Sequence, residues 1–243
     1  MAAHLFAAID VGSFELEMGI YETTSRNGLR EIDHLRHVIS LGRDTYHTGK
    51  ISYHLVDEMC QVLEEFAQVM KSYQVEDYRA YATSAMREAK NSQIILEQIR
   101  VRTGIQVQVI SNSEQRFLGY KAIAMKEAEF QKIIQKGTAI ADVSFGSLQI
   151  SLFDKDSLVS TQNIQQGILR LRENLSGVWS DRQTVLGIFE DMVDNELYAF
   201  KKMYLKDRDI KNLICIGESI LYLARDEVAG KRVDRISRSF MRN

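Results

Sequence analysis

Two aspartates, Asp10 and Asp142, each end a short apolar segment and are followed at once by a turn rich in glycine and serine. A carboxylate at a strand end, with backbone N–H groups in the turn beside it, suits phosphate held together with a divalent cation. An aspartate that bonds its own turn has the same local sequence, so one copy is weak evidence. Two copies in matching context favour the hypothesis of a phosphate site with a divalent cation. Both aspartates are then candidate metal ligands.

The segments around the two aspartates share one pattern, AAIDVGSFELEMGIYE from Ala7 and AIADVSFGSLQISLFD from Ala139. In each, an apolar run passes through a turn and resumes with every second residue apolar, which predicts a β-hairpin. A third strand, an amphipathic helix and a returning strand are predicted after each hairpin. They lie at 30–39, 53–73 and 78–83 in the first copy, and at 158–164, 182–204 and 212–217 in the second.

Between the two copies the sequence predicts a helix at 91–102, a strand at 106–111 and a helix from about 113 to 131. Two α/β units that each open with a hairpin predict two lobes with a cleft between them. We place the first lobe at residues 1–130 and the second, which is short, at 131–243.

Five segments in a fixed order resemble the Ppx/GppA phosphatases, the family of exopolyphosphatases and guanosine-pentaphosphate phosphohydrolases. They are AAIDVGS, SLGRDTYHTGKIS, ATSAMREAKN, TGIQVQVISNSEQ and IADVSFGS. The resemblance implies two ribonuclease-H-like lobes of the actin, sugar-kinase and Hsp70-like superfamily. It also implies Mg²⁺-dependent attack of water on a terminal phosphoanhydride, with a glutamate as the base and loops of both lobes around the phosphate.

Carried over by position, the resemblance assigns Asp10 to the metal and Gly12, Ser13 and Arg87 to the phosphate. The family usually continues this first loop with Asn-Ser, whereas Phe14-Glu15 follows here. The change removes a donor amide and introduces a negative charge beside the expected anion. Arg87 would hold phosphate with its planar fork of donors, or else would be a solvated arginine on a helix.

The second loop corresponds to the family motif Asp-Ile-Gly-Gly-Gly-Ser-Thr-Glu, which becomes DVSFGSLQ at 142–149. Gly146 and Ser147 remain as candidate phosphate ligands. Ser144 and Phe145 replace glycines that would allow the backbone to approach phosphate closely. Gln149 replaces a glutamate, so the candidate metal site of Asp142 loses a negative ligand.

Gln115 stands where the family motif Ser-Gly-x-Glu-Glu-Ala has its catalytic base. An amide cannot take a proton from water near neutral pH, and general-base catalysis contributes roughly 10²–10⁴ in rate. Glu114 is adjacent, but one step along a helix turns a side chain by roughly 100°. Since Ser111 and Glu114 have capping-box spacing, Glu114 either holds the helix start or substitutes as the base.

The last phosphate loop of the family corresponds to Gly217 and Ser219, which follow the strand predicted at 212–217. Both residues are candidate phosphate ligands. Glu218 between them adds an acidic group, which a helix start also tolerates for purely structural reasons.

The composition excludes several other classes of protein. With 45% apolar and 26% charged residues the chain is globular, and 31 basic against 33 acidic side chains give no field that attracts DNA. We expect no membrane span and no secretion signal, because no apolar run is long enough. Cys60 and Cys215 lie in apolar segments and are expected to be reduced thiols of a cytoplasmic protein.

All departures from the family pattern weaken hydrolysis. We therefore expect a protein that binds polyphosphate or a guanosine polyphosphate in its cleft, with weak or lost catalysis and a weakened Mg²⁺ site. The alternative is an active exopolyphosphatase or pppGpp phosphohydrolase that uses Glu114 or another carboxylate. A sugar-kinase-like or chaperone-like ATP protein of the same superfamily, a homodimer and a truncated second lobe also stay open.

Overall fold

The computed structural model describes residues 4–24, 28–175, 182–205, 208–217 and 220. The chain divides into two compact units, Met1–Gly119 with Arg172–Ser176 (unit 1) and Tyr120–Leu171 with Gly177–Asn243 (unit 2). Each unit contains one mixed sheet with helices, as the repeat predicts. The boundary that the sequence suggests after residue 130 stays a prediction.

Unit 1 is built on a five-stranded sheet with strand order β3-β2-β1-β4-β5. Strands β1 to β3 are antiparallel, and β4 and β5 join β1 in parallel. The strands are β1 (His4–Val11), β2 (Glu15–Thr24), β3 (Gly28–Val38), β4 (Asp77–Ala82) and β5 (Gln108–Val109). The helices are α1 (Leu41–Thr48), α2 (Tyr53–Ser72), α3 (Ser84–Glu88), α4 (Ser92–Thr103) and the first half of α5 (Asn112–Lys126), whose residues from Tyr120 onward belong to unit 2.

One face of this sheet is apolar because every second residue of β1 and β2 is apolar. Its buried residues are Ala7, Ile9, Val11, Leu16, Met18 and Ile20. The stripe predicted for α2 packs against the same core, and all five members are buried: Val56, Met59, Leu63, Phe66 and Met70. Burial of one such large side chain contributes roughly 1.5–3 kcal/mol, so this layer fixes the turn between β1 and β2.

Unit 2 has a four-stranded sheet with strand order β8-β7-β6-β9. The strands are β6 (Thr138–Val143), β7 (Leu148–Asp154), β8 (Ser157–Ile164) and β9 (Asn212–Ile216). The helices are α6 (Phe130–Ile134), α7 (Ile168–Asn174) and α8 (Arg182–Phe200), and a π-helical turn (Lys201–Leu205) follows α8. Phe200 packs with Ile150 and Leu152, while Phe130 packs with Ile140 and Phe153.

The register of the two hairpins shows the duplication directly. Asp10 on β1 lies opposite Glu17 on β2, and Asp142 on β6 lies opposite Gln149 on β7. In both units the first strand of the hairpin also pairs in parallel with the returning strand. The two sheets therefore present the two aspartates at equivalent positions of equivalent strands.

Some sequence predictions of local structure were wrong. The predicted stripe of α8 includes Leu186, but this side chain is 49% exposed and its neighbour Val185 is buried instead. The strand predicted at 106–111 shrinks to the two residues of β5, and the helix predicted to reach residue 131 ends at Lys126. Helices α1 and α7 were not predicted, whereas the helix expected at Arg87 is α3.

No helix in the described part of the chain is long and apolar enough to cross a membrane. Both cysteines are free, with Cys60 buried and Cys215 half-buried. This agrees with the reduced thiols that the sequence predicts.

Candidate functional site

The turns after Asp10 and Asp142 have the same backbone pattern. In the first loop (Gly12–Glu15) the N–H of Gly12 donates to the Glu15 carbonyl at 2.9 Å. In the second loop (144–147) the N–H of Ser144 donates to the Ser147 carbonyl at 3.1 Å. A Cβ at Gly12 would lie 2.8 Å from the Glu15 carbonyl oxygen, so glycine allows this tight turn. The two loops are structural equivalents.

Each loop is closed by a helix: α1, which follows β3, closes the first loop, and α7, which follows β8, closes the second. The N–H of Gly42, the second residue of α1, donates to the Ser13 carbonyl at 2.7 Å. The N–H of Leu169, the second residue of α7, donates to the equivalent carbonyl of Phe145 at 2.9 Å. Neither helix was predicted from the sequence, and each fixes the backbone of a candidate phosphate loop.

Three hydroxyl groups meet at the first loop. Ser13 Oγ lies 2.8 Å from both Tyr46 Oη and Ser84 Oγ, and those two atoms are 2.9 Å apart. Ser13 Oγ also accepts the N–H of Ala85 at 3.2 Å. We call Ser13, Tyr46 and Ser84 the hydroxyl ring; it joins the first loop to α1 and α3. Sequence reasoning identified Ser13 but not the other two members.

Arg87 is half-buried and engaged in the chain. Its guanidinium donates to the Ile110 carbonyl at 2.6 Å and to Asn112 Oδ1 at 2.5 Å. Burial lowers the pKa of Arg87, yet an arginine stays charged at any physiological pH. Arg87 is therefore not a solvated arginine on a helix surface. Two of its hydrogen-bond donors hold the start of α5, so they are not available to a phosphate.

The start of α5 is a capping box. The backbone N–H of Ser111 donates to Glu114 Oε2 at 2.8 Å, and the Glu114 N–H donates to Ser111 Oγ at 3.2 Å. These hydrogen bonds lower the pKa of the exposed Glu114 carboxyl. A carboxylate stabilised in this way is a weaker base, so the geometry favours the structural role of Glu114.

Gln115 is half-buried on the first turn of α5, next to that cap. Its backbone N–H donates to the Ser111 carbonyl at 3.0 Å, and its side-chain Oε1 is buried with no hydrogen-bond partner among the described residues. An oxygen in that state can accept a hydrogen bond from a ligand or a water molecule. It cannot hold a proton taken from water.

The negative charge that Glu15 introduces is neutralised within the fold. Glu15 is 5% exposed, and its Oε2 accepts from both Nε and Nη2 of Arg36 on β3. Burial raises the pKa of Glu15, and Arg36 opposes that rise. The carboxylate that the sequence predicts beside the anion is therefore accompanied by a cation from the neighbouring strand.

The second loop is bonded to its surroundings through its two central carbonyl groups, as the first loop is through the Ser13 and Phe14 carbonyls. The Gly146 carbonyl accepts from Arg170 Nε at 3.1 Å, and Ser144 Oγ donates to the Ser147 carbonyl at 2.9 Å. A Cβ at Gly167 would overlap backbone atoms of residues 145–147. Gly146 and Ser147 are both buried. The second loop is therefore packed closely against Gly167.

We expect Gly167→Ala to destabilise the protein by about 2 kcal/mol, because overpacked sites that cannot relax typically cost 1–3 kcal/mol. Urea unfolding measures the effect. Gly187→Ala is the matched control: it lies within α8 with open space around its Cβ position. That change should stabilise by roughly 0.5–1 kcal/mol. Equal effects of the two variants would contradict the tight packing of the second loop.

Asp142 differs sharply from Asp10 in its surroundings. Asp10 is exposed, whereas Asp142 is half-buried on the sheet face that also carries Ile140, and burial raises its pKa to about 6. Gln149, directly opposite, is 1% exposed. Equivalent positions in the two units thus hold carboxyl groups that differ in exposure to solvent.

The model of the Ppx/GppA phosphatase family matches residues 20–226 of the chain. The chain belongs to this family. The Ppx/GppA protein of Aquifex aeolicus has a solved structure that superposes with a TM-score of 0.71 and 23% identity, covering 93% of this chain and 70% of that one. The predicted fold class is therefore confirmed.

The chain is similar in sequence to two curated members of the Ppx/GppA family. Exopolyphosphatase 1 of Mycobacterium tuberculosis is 26% identical over 115 residues, which are 47% of this chain and 33% of that protein. The guanosine-5'-triphosphate,3'-diphosphate pyrophosphatase of Vibrio parahaemolyticus is 20% identical over 224 residues, 92% of this chain and 43% of that protein. Both matches span less than half of the relative's length.

The Ppx/GppA resemblance also implies a Mg²⁺ site, and the residues present fit it poorly. Asp142 and Gln149 offer one carboxylate and one amide, whereas Mg²⁺ prefers carboxylates, phosphates and water. The described residues include no group of three His, Cys, Asp or Glu side chains that could hold a metal ion. A dedicated site of protein ligands is not formed by this set.

The last Ppx/GppA phosphate loop is described only in part. Gly217 has φ +106°, and a Cβ there would overlap the Val143 backbone. Glycine is therefore required at this position for packing of the β9 end against the β6 end. Ser219 and Glu218 lie outside the described residues.

A separate pocket of about 550 Å³ lies in unit 2, where β7 and β8 meet the π-helical turn. Asp154, Tyr204 and Arg208 are among its lining residues. None of the candidate phosphate or metal residues lines it, so its volume is not evidence for the predicted site.

Proposed function

We propose that this Ppx/GppA-family chain binds a phosphate-rich anion, polyphosphate or a guanosine polyphosphate, and hydrolyses it weakly or not at all. One observation carries the proposal. The residue at the base position is an amide, Gln115, and the adjacent carboxylate of Glu114 is used in the helix cap. Loss of a general base alone removes roughly 10²–10⁴ of the rate.

The state of the two loops supports binding without turnover. The first loop keeps hydroxyl groups around Ser13, which contacts Ser84 and the Ala85 N–H at the start of α3, the helix that also carries the half-buried Arg87. In both loops the two central carbonyls are bonded, but the second loop lacks glycines at positions 144 and 145, which would allow close approach of the backbone to phosphate. The anion-binding capacity is thus concentrated in unit 1. Gln149 replaces the glutamate that the family has near the metal. In this proposal Mg²⁺ enters the site as a complex with the phosphate-rich anion.

Asp142 supports a second candidate, an active hydrolase with a different base. Its pKa of about 6 is close to the value that suits a general base near neutral pH. In this alternative Asp142 accepts the proton of the attacking water in place of a glutamate at position 115.

Thermal unfolding with tripolyphosphate, ppGpp and ATP tests binding, because a ligand of the folded state must stabilise it. At a concentration of 100 Kd the gain is about 2.7 kcal/mol, or roughly 5–10 °C in Tm for a chain of this size. We expect a shift with tripolyphosphate or ppGpp that exceeds the shift with ATP. Absence of any shift would contradict the proposed function.

Phosphate release in the presence of Mg²⁺ and polyphosphate tests catalysis. We expect no turnover by the natural chain, and none by Gln115→Glu, because the closed second loop and Gln149 remain unchanged. Turnover by the natural chain that Asp142→Asn abolishes would establish the second candidate. Turnover abolished by Glu114→Ala, but retained in Asp142→Asn, would instead make Glu114 the base.

A further inference from the structure

The hydroxyl ring leaves no hydrogen for a ligand. Ser13, Tyr46 and Ser84 have one hydroxyl hydrogen each, and the three contacts between them use all three hydrogens. Ser13 Oγ additionally accepts the Ala85 N–H at 3.2 Å, which occupies its second lone pair. An anion needs donors, so one hydroxyl must turn out of the ring before the ring itself can donate to a phosphate.

The burial of the three members indicates which hydroxyl turns. Ser13 and Ser84 are each 6% exposed, whereas Tyr46 is half-buried. Tyr46 is therefore the least buried member of the ring. The Tyr46 hydroxyl contacts Ser84 at 2.9 Å, and Ser84 and Arg87 both lie on the short helix α3.

We propose that Tyr46 is the residue that donates a hydrogen bond to the bound phosphate, and that Ser13 and Ser84 position it. This inference rests on the proposed function. Ser84 donates to Ser13, Ser13 donates to Tyr46 Oη, and the Tyr46 hydroxyl donates to a phosphate oxygen. Only the contact between Tyr46 and Ser84 is lost, and every hydrogen has one acceptor. Such a chain strengthens its last hydrogen bond, because each donor polarises the next.

The duplication provides an internal comparison. The residue equivalent to Ser13 in the second loop is Phe145, which has no hydroxyl group, and its carbonyl is closed by α7 in the same way. The ring is therefore not required to close a loop of this kind. Its presence in unit 1 alone, among the described residues, supports a role in binding rather than in folding.

Isothermal titration of the full chain with tripolyphosphate tests the proposal. Tyr46→Phe is expected to bind about 10- to 100-fold more weakly, the usual effect of losing one hydrogen bond to a charged group. Ser84→Ala, which removes a positioning residue, should weaken binding by a smaller factor. Tyr53→Phe is the matched control, because Tyr53 is 75% exposed on the first turn of α2. It should bind as the natural chain does.

The outcomes separate this inference from the proposed function. If the natural chain binds neither tripolyphosphate nor ppGpp, the proposed function fails and the inference fails with it. If the natural chain binds and Tyr46→Phe binds equally well, with or without a lower Tm, the ring is only structural and the inference alone is overturned.

A spectroscopic measurement covers the case in which Tyr46→Phe does not fold. 3-Fluorotyrosine placed at position 46 or at position 53 of the full chain keeps the phenol. The ¹⁹F resonance of position 46 should shift on addition of tripolyphosphate and saturate with the calorimetric Kd, while position 53 should not respond. An unchanged resonance at position 46 under saturating ligand would overturn the proposal.

Discussion

Arg36→Met is expected to destabilise the protein by about 3–4 kcal/mol. Arg36 is the cation that pairs with Glu15, and the Glu15 carboxylate is 5% exposed at the end of the first loop. Removal of one partner of a buried ion pair typically costs 3–5 kcal/mol, since the other charge is left without compensation. Urea unfolding at pH 8 measures the loss, which should be smaller at pH 5 because the isolated carboxyl is then more readily protonated.

The double variant Glu15→Leu with Arg36→Met is the control for this effect. A buried ion pair replaced as a whole by apolar side chains is often neutral in stability. The double variant should therefore be more stable than Arg36→Met alone. If the double variant is the less stable of the two, the pair is not what makes position 36 important.

Asp142→Asn should change how stability depends on pH. The pKa of Asp142 is raised from 3.8 to about 6 in the folded state, so between pH 4 and 6 the folded chain holds a proton that the unfolded chain has released. Stability from this group is complete below about pH 4 and is lost as the pH rises through 6. We expect the natural chain to lose about 3 kcal/mol from this group over that range. Asp142→Asn should lack the loss, so it should be the more stable protein at pH 8.

Asp156→Asn is the matched control for this pH series. Asp156 is exposed in the turn between β7 and β8 with φ +61°, a conformation that asparagine tolerates. Free energies of unfolding at pH 4, 6 and 8 should have the same slope in this control as in the natural chain. If Asp142→Asn follows that slope as well, the carboxyl of Asp142 is not desolvated.

The sequence predicted those features that depend on neighbouring residues. The hairpins and the stripe of α2 follow from periodic apolar residues, and the capping box of α5 follows from two residues three positions apart. The π-helical turn and the short helices α1 and α7 were missed, because five to eight residues carry too little periodicity. At the start of α8, Leu186 and Val185 are both apolar, and only packing decides which one is buried.

The features that decide the chemistry of the first loop join residues far apart in the sequence. Glu15 and Arg36 are 21 positions apart, and Ser13 meets Tyr46 and Ser84 across 33 and 71 positions. No local pattern marks such partners. The resemblance to the family identified the loop, but the counter-charge of Glu15 and the role of Tyr46 emerge only once β3, α1 and α3 are in place.

The turns of the two hairpins match in length and in strand register. Val11 pairs with Leu16 and Val143 pairs with Leu148, so residues 11–16 and 143–148 span the same distance with the same register. A transplant of one segment into the other position would leave every strand residue on its own side, whereas a one-residue insertion would invert them all. The strand register thus leaves the side chains of one turn able to change without altering the sheet, provided that partners such as Arg36 change with them.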